Sequence, residues 1–140
     1  MELPWLSRWQ PQLLAILRII AALLLLEHGL MKFFHFPAPQ VPGPLPPLLI
    51  AAATIELVTG VLMTVGLFTR VAAFVASGEM AVAYFVGHFP KSFWPGVNMG
   101  DAAILFCFVF LYIAAAGPGA WSIDGARTKN APIRGPWHES

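Results

Sequence analysis

Residues 12–34 read QLLAILRIIAALLLLEHGLMKFF. From Leu13 to Leu26 the run is interrupted by a single charge, Arg18. A bilayer core of roughly 30 Å takes about 20 residues of helix to cross, and this stretch is long enough. It lacks the two-residue alternation of a membrane strand, so it reads as a helix. Arg8 ahead of it would suit the charged start of a signal peptide. However, no small-x-small cleavage site follows, and Glu27, His28 and Lys32 come next. The stretch is therefore expected to be a retained first transmembrane helix.

Working outward, three more segments fit the same description, at about 47–67, 70–87 and 98–116. The breaks between them are well marked. Residues 37–47 hold six prolines and read as a stiff external loop. Pro46 and Pro47 suit a first helical turn, where a missing N–H costs nothing. Gly66 to Thr69 reads as a tight turn. Residues 89–96 carry Phe93 and Trp94 between prolines, as in a loop anchored at the membrane interface. Gly117-Pro118-Gly119 ends the last helix. The expected fold is an all-α membrane protein, a four-transmembrane-helix bundle over 1–124. A polar tail over 125–140 follows, and the stretch from Trp121 onward is expected to be only partly ordered.

Composition agrees. Apolar residues make up 58% of the chain and charged residues 11%, against about 45–50% and about 25% in soluble domains. A soluble protein of 140 residues has too much surface for so few charges. The net charge of +1 gives no argument for nucleic acid as a partner. The single cysteine, Cys107, excludes a disulfide within the chain and reads as a small apolar packing residue. With four spans, Arg8, Arg70, Arg127, Lys129 and Arg134 share one side and Lys91 lies on the other. The positive-inside rule then places both termini in the cytoplasm.

Ionisable groups within the spans carry the functional argument, because each costs ~2.5–3.5 kcal/mol to insert. Helix one holds Arg18, Glu27, His28 and Lys32; helix two holds Glu56; helix three holds Glu79 and ends near His88; helix four opens with Asp101. At about 1.5 Å per residue, Glu56 and Glu79 fall near mid-membrane, with Arg18 roughly 6 Å towards the cytoplasm. The expectation is a central Arg18/Glu56/Glu79 layer and an outer His28/Lys32/His88/Asp101 layer. At about 100° per residue, Arg18, His28 and Lys32 form one stripe, and Glu27 points away from it. Ser77, Tyr84 and His88 share a face of helix three opposite to Glu79, so one enclosed pocket is not expected to collect every group. Two deep cations against Glu27, Glu56 and Glu79 leave one carboxyl without a countercharge, suited to donating a hydrogen bond or carrying a proton. Gly60 and Gly78 read as helix-packing residues. His28 and His88, from different helices at one depth, are the candidates for holding a metal or haem.

Several stretches together resemble the DoxX family of small bacterial membrane proteins. They are Leu17-Arg18-Ile19-Ile20 with His28-Gly29-Leu30-Met31-Lys32-Phe33; Glu56-Leu57-Val58-Thr59-Gly60; Met80 to Phe85 with His88; Phe93-Trp94-Pro95; Asn98-Met99-Gly100-Asp101; and Gly117 to Asp124. Glu27 stands where an aromatic residue is commoner in that family. The resemblance covers residues 12–124 and implies a four-helix bundle in the bacterial inner membrane, associated with redox chemistry.

The expected function is a redox-associated subunit that binds a quinone. Arg18, His28, Lys32, Tyr84 and His88 are the candidate binding residues, and Glu56, Glu79 and Asp101 the candidate proton donors or acceptors. Electrons would come from a redox partner protein or an external substrate. A proton-coupled transporter and a non-catalytic scaffold are the alternatives. The bilayer is the certain environment, and self-association is a further expectation.

Overall fold

A computed structural model describes residues 1–130, and among these no strand is present. In chain order the helices are α1 (Pro4–Ser7), α2 (Gln10–Phe34), α3 (Pro47–Val65), α4 (Thr69–Ala83), α5 (Pro95–Asn98), α6 (Asp101–Ala116) and α7 (Ile123–Lys129). A wider π-turn, Tyr84–His88, and a 3-10 turn, Phe89–Lys91, continue α4. Three helical stretches are long and apolar enough to cross a membrane: Gln10–Phe34, Pro47–Val65 and Thr69–Lys91. The fourth, α6, is apolar but shorter, because Met99 and Gly100 separate it from α5 where a continuous start near Asn98 is expected. The chain is thus a helical membrane bundle. Residues 131–140, including Arg134, lie outside the described residues.

The helices pack as two hairpins, α2 on α3 and α4 on α6, joined by α3 against α4. The inner face of α2 is Ala15, Arg18, Ala22, Leu25, Gly29 and Lys32, spaced three and four apart. Small residues on this stripe let α3 come close. A side chain at Gly60 of α3 would press on the Leu26 backbone, and one at Gly29 would meet Leu57 and the Ala53 carbonyl. The α4/α6 hairpin is built on Ala72, Ala73, Ala76 and Met80 against Phe110 and Ile113. It is fixed by the Ser77 hydroxyl donating to the Cys107 carbonyl at 2.7 Å.

From Trp121 to residue 130 the described chain differs from the partly ordered tail expected there. It folds back over one end of the bundle, called here the Gly66 end. The Asp124 N–H donates to the Gly66 carbonyl at 2.9 Å. The Asp124 carboxylate accepts from the Phe68 and Thr69 N–H groups at 2.9 and 2.8 Å. It thereby caps the start of α4, whose first N–H groups have no partner within the helix. Partial burial works against the charge of Asp124. The N–H donors and nearby Arg127 outweigh it and hold the carboxyl below the usual carboxylate range.

Candidate functional site

The two buried cations of α2 sit two heptads apart, ~21 Å along the helix, and meet different surroundings. Arg18 is fully buried. Its guanidinium donates to the carbonyls of Met63 at 2.9 Å, Pro118, Ala120 at 3.2 Å and Trp121 at 2.9 Å. The planar fork of five N–H donors suits this shell of carbonyls. The expected central layer of Arg18 with Glu56 and Glu79 is therefore corrected: Arg18 holds the returning segment at the Gly66 end. Sequence spacing could not show this, because three of the four partners lie a hundred or more residues further on.

Lys32 instead pairs with Glu56. Its ammonium donates to both Glu56 oxygens, at 2.8 and 2.7 Å, and both side chains are buried. The Glu79 carboxyl lies beside this pair. Its Oε2 is buried and has no hydrogen-bond partner among the described residues. An unpaired polar atom in a dry setting is costly, which makes it the first place to look for a ligand. Arg18 takes no carboxylate, so two acids rather than one lack a countercharge: Glu79 inside the bundle and Glu27 on its outer surface.

A cleft of about 570 Å³ opens between α3 and α4 above these groups. Lys32, Glu56 and Glu79 form its polar part; Leu48, Ala52, Ile55, Val75, Val82 and Val86 form apolar walls. Gln40 and Val41 of the proline-rich loop, with His88 and Lys91, stand at its other end. Gly78 lines the cleft as well, and a side chain there would meet nothing within 4 Å. The packing role expected of Gly78 is thus corrected to one of leaving space. Such a volume is in the usual ~300–1,000 Å³ range of small-molecule sites.

His88 lines the same cleft as Glu79, although regular helical spacing puts them on opposite faces. The π-turn at Tyr84–His88 accounts for this. A wider turn rotates less per residue, so the helix beyond it changes phase. The His88 Nδ1 donates to the Asn98 carbonyl at 3.0 Å, and its ring stacks on Tyr84. Tyr84 does not line the cleft; its hydroxyl accepts from Asn98 Nδ2 at 3.2 Å. Asn98, buried and bonded also to the Ser92 carbonyl and the Gly100 N–H, organises this loop. It drew no assignment from sequence, and a lone amide at a helix border was the available signal.

The remaining candidates lie apart. His28 donates from Nδ1 to the Leu24 carbonyl at 2.7 Å and meets Phe106 edge-on. Asp101 is exposed in the first turn of α6, where a negative charge suits the helix dipole. The expected outer layer is thus divided: Lys32 and His88 reach the cleft, whereas His28 and Asp101 do not. His28 and His88 occupy separate surroundings. Among the described residues no three His, Cys, Asp or Glu side chains converge as a metal site. Gln40 and Val41 were not singled out from sequence, and Lys91 was read only as a charge on the outer side, because loop residues give no periodicity that would aim them at a cleft.

Comparison with known proteins fits this architecture. The chain is 41% identical over 125 residues to an uncharacterized protein of Haemophilus influenzae, covering 85% of this chain and 93% of that one. It is 28% identical over 145 aligned positions to an uncharacterized membrane protein of Mycobacterium tuberculosis, covering 89% and 87%. No solved structure matches it. The DoxX family model matches residues 13–89, which include α2 from Leu13 on, α3, α4 and every charged residue at the polar part of the cleft. This chain belongs to the DoxX family.

Proposed function

We propose that the cleft between α3 and α4 binds the headgroup of a quinone, and that the protein serves as a membrane subunit of a redox assembly. The observation that carries this reading is the Glu79 oxygen without a partner, set beside the Lys32–Glu56 pair in an otherwise apolar cleft. A quinone headgroup offers two carbonyl acceptors on a flat apolar ring. The Glu79 carboxyl, carrying a proton, can donate to one carbonyl. Lys32 has a third N–H beyond the two given to Glu56. When bound, the quinone supplies a carrier for two electrons and two protons. The electrons come from a redox partner protein. The chain's own part is to orient the ring, exclude water and hold a proton at Glu79.

A second cavity, about 480 Å³, continues towards the Gly66 end and shares Ile55 and Val75 with the first. Thr54 and Thr59 line it, and both hydroxyls donate back to carbonyls of their own helix, at 2.8 and 2.6 Å. They present no free donor, so this groove suits the apolar tail of the ligand.

The topology proposed with this site is four spans with both ends in the cytoplasm of the bacterial inner membrane. Arg70 and the α7 cations Arg127 and Lys129 lie at the Gly66 end, and Lys91 lies in the opposite loop. That distribution follows the positive-inside rule.

The test is mass spectrometry of an organic extract of the purified protein, against a matched membrane-protein control. Near-stoichiometric quinone in the wild type, and loss of most of it in Glu79→Leu, which removes the donor, is the expected result. Background lipid alone would reject the quinone reading. Proton flux in proteoliposomes that disappears in Glu79→Gln would then favour the transporter instead.

A further inference from the structure

Glu27 breaks the rule that the rest of the bundle obeys. Carboxyls within a membrane almost always turn inward, onto a partner or a wet cavity. Glu27 is exposed on the outer side of α2, and among the described residues it has no hydrogen-bond or ion-pair partner. It lies five residues from the middle of Gln10–Phe34, ~7–8 Å along the axis. That is inside the hydrocarbon layer. The helix end at Phe34 is ~10 Å further on, beyond the reach of a glutamate side chain. Lipid tails offer no hydrogen bonds, so the missing partner comes from another chain.

The surroundings of Glu27 indicate which chain. Leu13, Ile16, Ile20 and Leu23 on one side of it and Leu30 and Phe34 on the other are spaced alternately three and four apart. All but Leu30 are exposed. This is the a/d repeat of a two-helix seam, with Glu27 as its one polar residue. The stripe runs along the side of α2 roughly opposite to the buried stripe that packs on α3. A second copy inserts in the same orientation, so it presents the same carboxyl at the same depth. A twofold axis along the seam then makes the surface complementary to itself. A single polar side chain in an apolar seam fixes register and partner number.

We propose that α2 is the seam of a parallel homodimer in which the Glu27 carboxyl hydrogen-bonds that of a second copy through a proton held between them. Each carboxyl gives the other the partner that lipid cannot, and apolar residues pack above and below. The α3/α4 cleft remains open to its ligand, because α2 meets that cleft only through Lys32 on its inner face. This inference does not depend on what the cleft binds.

The experiment is energy transfer between donor- and acceptor-labelled copies in liposomes, followed as the protein-to-lipid ratio falls. Wild type is expected to keep its transfer on dilution. Glu27→Gln, which retains a donor and an acceptor, should associate nearly as well. Glu27→Leu should require at least tenfold more protein per lipid for half-maximal transfer. Phe74→Leu, on an exposed position of α4, should match wild type. Because Glu27 has no described partner within its own chain, thermal melting of the Leu variant at high dilution should be unchanged. A monomeric wild type, or Glu27→Leu associating as strongly as wild type, would overturn the proposal.

Discussion

Arg18 and Lys32 project from the same face of one helix, and both are buried. Around Arg18 the guanidinium donates to four backbone carbonyls, from α3 and the returning segment. Around Lys32 the contacts are titratable side chains, with a cleft on one side and a carboxyl oxygen left over. The first arrangement spends four of the five guanidinium N–H groups on holding backbone segments together. The second is incomplete in a low-dielectric setting, where incompleteness is expensive. Two cations of the same helix thus mark an end held by backbone contacts, the structural end, and the end of the proposed ligand cleft, the chemical end. Intramembrane charge alone does not distinguish them; what distinguishes them is the partner, backbone carbonyls at one end and a carboxylate beside an unpartnered acid at the other.

Mutation at the structural end should give the largest loss of stability. Arg18→Leu removes the donor from four carbonyls, at ~1 kcal/mol or more each. A loss of about 3–5 kcal/mol is expected, read as unfolding in mixed micelles, together with increased hydrogen exchange in α7. If Arg18→Leu melts like wild type, Arg18 is not the clasp described here.

At the chemical end the pair should behave as a unit. Lys32→Met leaves the buried Glu56 carboxylate alone and should cost about 3 kcal/mol, since breaking one side of a buried pair costs ~3–5 kcal/mol. Adding Glu56→Gln should recover most of that loss, to within ~1 kcal/mol of wild type, because the uncompensated charge is gone. Ligand binding should not recover. Additive losses in the double variant would show that the two side chains do not depend on each other.

A smaller effect distinguishes the two ends by pH. The Asp124 carboxyl is held below its ordinary range by N–H donors and Arg127 despite partial burial. A group whose folded value is depressed contributes stability above its unfolded value and loses it as pH falls through the folded one. Hydrogen exchange at the Phe68 and Thr69 amides, corrected for intrinsic rate, should therefore accelerate below the usual carboxylate range. Asp124→Ala should show fast exchange at every pH. Protection at acid pH equal to that at neutral pH would sink this assignment.

Much of the architecture is legible in the amino-acid order. Proline and glycine punctuation places the helix limits within a few residues, and the wheel of α2 turns Glu27 outward. The site is only half legible. Glu56 and Glu79 stand out by depth, but their partner among two cations does not. Lys32 and Arg18 lie on one stripe, and only the fold-back of Pro118–Trp121 decides which meets carbonyls. His88 is placed on the wrong face because period counting assumes 3.6 residues per turn, and the π-turn at Tyr84–His88 breaks that assumption. The roles of Asn98 and Asp124 depend on contacts between segments, which no local pattern encodes.

The most direct test is a titration of quinone into the liposome-reconstituted protein, comparing wild type with Glu79→Leu, which removes the donor, and with melting recorded on the same samples. Glu79 has an unpartnered oxygen, so the substitution should leave stability within ~1 kcal/mol while weakening affinity at least tenfold. Equal affinity in both proteins would contradict the assignment of the cleft and its unpaired carboxyl as the functional end of the molecule.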